Sequence, residues 1–171
     1  MTAALSLPDL LAGRTEPAGY VSFLSALVHH GVLIDSPALI QIASPERAGR
    51  CRDVVPGPVD FHLIPRDLHF GWAWERFEGV NVPVASPEKA LVDWLHLVEE
   101  ECLDPRLEEI EWDALDLGRL EALCREAGVD PEPLLGQSRR LLDTSHVQWR
   151  LRWEGAPPPL PDSSPPGRSG T

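Results

Sequence analysis

Hydrophobic spacing changes period three times along this chain, and the order of those changes restricts the fold more than any single motif does. In "YVSFLSALVHHG" (20–31), Tyr20, Phe23, Leu24, Leu27 and Val28 recur at three- and four-residue steps, the spacing of one buried helix face. Between 32 and 84 the period shortens to two. "ALIQIAS" (38–44) and "PVDFHLIP" (58–65) alternate, and "GWAWERFEG" (71–79) sets Trp72, Trp74 and Arg76 opposite Ala73, Glu75 and Phe77. "VNVPVAS" (80–86) reads as a fourth short strand, and from 86 the helical spacing returns. Helix, strands, helix and then more helices predict an α+β fold rather than alternating βαβ units. The expected core is a small, largely antiparallel sheet flanked by helices.

The ends of the elements carry their own signals. Ser22 is placed to cap the first helix and Gly31 to follow its last turn, with His29 and His30 at the favourable C-terminal end of the dipole. In "VASPEKALVDWL" (84–95), Ser86 caps, Pro87 takes the first helical position and Glu88 meets the positive end of the dipole. Ala90, Leu91, Trp94, Leu95 and Val98 form the buried stripe, and Glu99, Glu100 and Glu101 with Asp104-Pro105 are expected to end the helix. Further helices are expected over 116–127, packing through Leu117, Leu120, Leu123 and Cys124, and over 131–142 after Asp130-Pro131. "HVQWRLRWE" (146–154) alternates again, with Val147, Trp149, Leu151 and Trp153 on one side. The chain then divides into a short N-terminal segment (1–19, one or two helical turns), an α+β core (20–98), a helical extension (104–143) and a terminal strand (146–154). A Pro/Ser/Gly-rich tail (155–171) is expected to be disordered.

A chain of 171 residues can bury a real core as one domain with a tail. Its three cysteines, Cys51, Cys102 and Cys124, are odd in number and far apart, which fits neither a disulfide framework nor a CxxC zinc site. They read as small apolar residues of a reducing compartment. No leader-like N-terminus and no apolar run near 18 residues occurs, so a cytoplasmic location and no membrane partner are expected. A net charge of −12 opposes non-specific nucleic-acid binding, which requires phosphate neutralisation. The same charge suits an acidic surface that meets a basic partner. Glu99, Glu100, Glu101, Glu108, Glu109 and Glu111 are the candidates for that surface, with Trp149 and Trp153 as candidate apolar contacts.

Lys89 is the only lysine in the chain, and it stands in a helix's first turn, against the dipole. A pair with Asp93, four residues on, contributes about 0.2–0.5 kcal/mol in an isolated helix, and lysine N-terminal to aspartate is the weaker orientation. Local helix stability therefore accounts poorly for Lys89. A tertiary ion pair, or carbonyl contacts that lock this helix against the sheet, is the expectation; a contact with a partner is the other reading. Other chemistry finds little footing. His29 and His30 are adjacent on a helix, about 100° apart, which argues against a shared ion, and no metal or cofactor is expected. A metal-nuclease arrangement needs an acid two residues before a lysine on one strand face, but Glu88 and Lys89 are adjacent at a helix start. GxSxG, P-loop and GxGxxG motifs are absent from the sequence. No catalytic residue is assigned, and an enzyme is not expected. "WRLRW" could stack on bases, but acidity favours core or protein contact for its tryptophans.

Three blocks, "GYVSFLSALVHHGVLIDSPALIQIAS", "VDFHLIPRDLHFGW" and "VPVASPEKALVDWL", followed by "IEWDALDLGRLEALCREAG", resemble the C-terminal domain of the AbiEi family of antitoxins from bacterial type IV toxin–antitoxin systems. The resemblance spans roughly 20–143. Its positions are Ser25, Ala26, Leu27, His30 and Gly31; Phe61, His62 and Ile64; Phe70 and Gly71; and Ser86, Pro87, Glu88, Lys89, Ala90, Leu91 and Asp93. It implies an antitoxin that opposes a nucleotidyltransferase toxin through protein interaction, in systems linked to phage defence, and it brings no catalytic role. The family also implies an N-terminal winged helix-turn-helix, and three helices with a wing need more chain than the 19 residues before Tyr20. That half is expected to be absent, or to lie upstream of an assigned start that falls too late. DNA contact by this chain alone is not expected. The alternative is a transcriptional-regulator fragment that works with a separate or missing winged-helix domain.

Overall fold

The computed structural model describes residues 4–101, 103, 107–132 and 134–136. β1 (Leu5–Ser6) leads directly into α1 (Leu7–Leu11), where the Ser6 side chain accepts from the Asp9 N–H as a cap. β2 (Tyr20–Val21), α2 (Phe23–His29), β3 (Ile40–Ser44), β4 (Gly49–Cys51), β5 (Val54–Val55), β6 (Val59–Leu63), β7 (Trp72–Phe77) and β8 (Val80–Ala85) follow. The chain ends its described part with α3 (Pro87–Glu101) and α4 (Leu117–Ala127), with short 3-10 turns between them at Leu107–Glu109 and Trp112–Ala114.

Six strands form one sheet in the order β4-β6-β3-β2-β8-β7. The pairs β4–β6, β3–β2 and β8–β7 are antiparallel, while β6–β3 and β2–β8 are parallel. The fold is α+β with a largely antiparallel sheet, as the periodicity predicts. The parallel pairs arise where the chain crosses back before adding a strand: β3 is followed by β4 and β5 before β6 lies beside it. β7 and β8 join through Glu78 and Gly79, both at positive φ (46° and 84°), the two-residue turn that matches strand twist. A separate pair, β1 and β5, runs parallel with Leu5 opposite Val54.

Two expectations need correction. Tyr20 is not helical; it pairs with Ala43 in the sheet, and Val21 pairs with both Ile42 and Val84. A two-residue strand placed directly before a helix preserves the apolar spacing, so periodicity cannot separate the two. α3 runs three residues past the expected 98, taking in Glu99–Glu101 and ending at Glu101. Ser22 and Gly31 do bound α2, although Ser22 makes no side-chain cap bond; Gly31, at φ 71°, holds a left-handed conformation after the helix. α4 begins at Asp116, whose carboxylate accepts from the Arg119 N–H. Residues 132 and 134–136 are helical, and Leu134 is buried. The remainder of the 131–142 helix, the strand at 146–154 with Trp149 and Trp153, and the tail at 155–171 lie outside the described residues.

α2 packs on β3 and α3, α4 on α3, and α1 on β8. Their apolar faces share one core that includes Leu27, Ile42, Val84, Leu91 and Leu120. Leu7 and Leu11 of α1 are buried in that same core, so the N-terminal segment is part of it. Leu11→Ala should therefore destabilise the whole chain by about 2–5 kcal/mol in urea unfolding followed by circular dichroism.

Cys124 is buried on α4, and burial, reinforced by Asp130 and Glu121, pushes its thiol from 9.0 up to about 11. The folded state thus keeps this proton after the unfolded state has lost it. The associated stability is complete below pH 9 and falls as pH rises toward about 11. Cys124→Ala should flatten that part of the stability–pH curve in urea titrations run across the range.

Candidate functional site

Lys89 enters the core from the first turn of α3. Ser86 sets the start of that turn: its side chain accepts from the Lys89 N–H (3.2 Å) and its carbonyl from the Ala90 N–H (2.8 Å). The lysine stem then passes Gly71, whose own carbonyl accepts from the Ser86 N–H (3.0 Å). Gly71 has φ 75°, and a Cβ there would come within 2.8 Å of Lys89 Cγ. Glycine is required both for the turn and for the lysine. The ammonium lies 4.8 Å from the Phe70 ring centre, a cation–π contact.

Lys89, Asp93, Tyr20 and Ser22 form one buried polar group, each 0% exposed. Lys89 Nζ donates to Asp93 Oδ1 and to Tyr20 Oη (2.9 Å). Tyr20 Oη (2.8 Å) and Ser22 Oγ (2.7 Å) donate to Asp93 Oδ2. Tyr20 has one hydroxyl proton and also lies 3.2 Å from the Leu68 carbonyl; the shorter bond, to a charged acceptor, is the stronger. Burial pulls the Lys89 amine below its ordinary value and pushes Asp93 above the usual carboxylate range, and each charge opposes the other's shift. Burial and then Asp93 push the Tyr20 hydroxyl well above 10. Donors face both oxygens of Asp93, and a proton on either oxygen would confront one of them. The ion pair is the form that these contacts accept. No atom of the group can meet a dissolved molecule unless the fold opens.

The i, i+4 pair with Asp93 therefore exists, but its strength comes from tertiary bonds to β2 and from the absence of water. Tyr20 and Ser22 are the partners that the sequence reading missed. Their signal was weak: the chain's single tyrosine, and a serine that caps nothing with its side chain.

The other motif positions hold the same frame. Ser25 Oγ accepts from the Gln41 N–H (2.9 Å), fastening α2 to β3. His30 Nε2 donates to the Ala85 carbonyl (2.8 Å), just before Ser86. Glu88 turns the opposite way from Lys89, and its carboxylate accepts from the Asp116 N–H (3.0 Å) at the start of α4. Pro87 is the first residue of α3. Phe61 and His62 stand apart, lining an open cleft of about 900 Å³ with Arg50, Arg66, His96 and Glu101. The His62 ring packs edge-on against Phe23 (5.1 Å), while its Nε2 has no hydrogen-bond partner. Glu99, Glu100, Glu101, Glu108, Glu109 and Glu111 are all exposed, on the end of α3 and the turns that follow.

The spacing argument against a shared ion fails at His29 and His30. His30 is the C-cap of α2, and the ring centres of the two histidines lie 4.9 Å apart. One ligand atom each from His29, His30 and Glu75 lie within 4.8 Å of one another. Among the described residues no helix is long and apolar enough to cross a membrane. No family model and no curated protein matches the chain.

Lys89→Met should destabilise the protein by about 3–5 kcal/mol, because Asp93 is left buried without its counter-charge. For a chain of this size that is a fall of roughly 10 °C in melting temperature. Adding Asp93→Asn should restore at least about 1 kcal/mol, since an amide still accepts from Tyr20 and Ser22 without a buried charge. An unchanged melting temperature in the single variant would mean that the lysine does not lock α3 to the sheet.

Proposed function

We propose that this chain is an antitoxin-like protein-binding domain of a bacterial type IV toxin–antitoxin system. It acts in the cytoplasm, in phage defence, and opposes a nucleotidyltransferase toxin by contact rather than by catalysis of its own. The observation that carries this reading is the exposure of all six glutamates between 99 and 111 on one continuous stretch of chain. A toxin that handles nucleotide and RNA needs basic residues, and an acidic helix end with its following turns complements them. The positions of the family resemblance support the reading in a second way. Most serve the internal frame around Lys89, which leaves recognition to the surface that the frame presents.

The mechanism is electrostatic steering followed by steric cover of the toxin's working face. Glu99→Lys combined with Glu100→Lys and Glu108→Lys should lower the association rate with a nucleotidyltransferase toxin about 10-fold at low salt. It should also flatten the salt dependence, both readable by stopped-flow fluorescence. Identical kinetics in the variant would remove this surface from the proposal, and failure of the native chain to bind any such toxin would remove the function.

A further inference from the structure

We propose that His29, His30 and Glu75 form a binding site for a divalent transition cation of the zinc class. The three side chains come from the end of α2 and the middle of β7, which are 46 residues apart in sequence. His29 Nε2 and Glu75 Oε2 are 3.0 Å apart, close to the spacing of about 3.3 Å between ligand atoms around a tetrahedral zinc. One ligand atom from each of the three residues lies within 4.8 Å of the others.

His30 supplies the feature that separates this cluster from an ordinary surface contact. Its Nε2 faces the Ala85 carbonyl at 2.8 Å, and a carbonyl only accepts, so Nε2 carries the hydrogen. With Nε2 engaged by the carbonyl, Nδ1 is the ring nitrogen left to bind a cation. A metal-bound histidine commonly has its other ring nitrogen anchored on a carbonyl in this way. His29 is oriented as well, with its ring 5.4 Å from that of Phe77. Phe77 lies on the same strand face as Glu75.

Two imidazoles and one carboxylate match zinc and its neighbours, and are poor ligands for calcium or magnesium, which prefer all-oxygen sets. Glu75 neutralises half of the cation's charge. The His29 and Glu75 side chains are 24% and 34% exposed, so a fourth position opens toward solvent for water or a ligand from another molecule. A cation here clasps the end of α2 to the outer edge of the sheet. Through Ala85 it also braces the residue before Ser86, where the Lys89 helix begins.

The test uses the untagged full chain, stripped with a chelator and titrated with Zn²⁺ against a chromophoric competitor. One zinc per chain is expected. His29→Ala and Glu75→Gln should each weaken binding at least about 10-fold, while His62→Ala, in the cleft on another part of the fold, should not. Co²⁺ loading of the native chain gives a readout that needs no variant, and the intense visible bands of four- or five-coordinate cobalt are expected. No bound zinc, zinc binding that survives both variants, or only the weak spectrum of six-coordinate cobalt would each overturn the proposal.

Discussion

The ion pair between Lys89 and Asp93 lies where water is absent, and both charges resist being there. Such a pair is seldom a net source of stability, since desolvation offsets its attraction. What it does supply is position. Lys89 must reach Tyr20 Oη, and Asp93 must accept from both Tyr20 and Ser22. These bonds fix how far α3 slides along β2 and how it rotates about its axis. A shift of one residue would leave a buried charge unpaired, at several kcal/mol. The alternatives to the native packing are therefore raised more than the native packing is lowered.

Consecutive residues at the start of α3 extend that constraint in two directions. Lys89 points inward to β2, and Glu88 reaches the N-terminus of α4, where its carboxylate meets a free N–H and the positive end of a helix dipole. The same glutamate also sits in α3's own first turn. Ser86 and Gly71 hold the turn from which both side chains depart, and His30 holds Ala85 just before it. The sheet, α2, α3 and α4 thus meet within four residues of chain. Glu99, Glu100 and Glu101 stand at the far end of the helix so fixed.

Much of this was legible in sequence, and the gaps have physical causes. β3, β6, β7 and β8 follow from period-two alternation, and α3 from its cap, proline and apolar stripe. β1, β2, β4 and β5 have two or three residues each, too few to show a period. Their pairing is set by neighbours distant in the chain. Lys89 could be singled out because it defied local helix preferences, and a residue that loses locally is held by something non-local. Its partners could not be deduced, since Tyr20 looked like one more member of an apolar helix face. His30 failed in the opposite sense. The 100° step between neighbours on a helix separated it from His29, whereas the two rings lie 4.9 Å apart.

The distribution of positive charge sharpens the link between fold and surface. The chain's only lysine is wholly interior, and every other basic side chain apart from histidine is an arginine. Guanidinium groups pair with carboxylates through planar forks and stay charged at any pH the protein meets. Arg50 forms an ion pair with Asp60, Arg66 with Glu46 and Arg125 with Glu121, all at the surface. They engage acidic groups of β6, of the loop after β3 and of α4. Glu99 and Glu100 stand exposed near the end of α3, where the backbone dipole is also negative. Carboxylates there repel one another and the dipole, so they weaken the helix that carries them. On the proposal of a basic partner, approach of its cationic surface would relieve that repulsion and so add to the attraction.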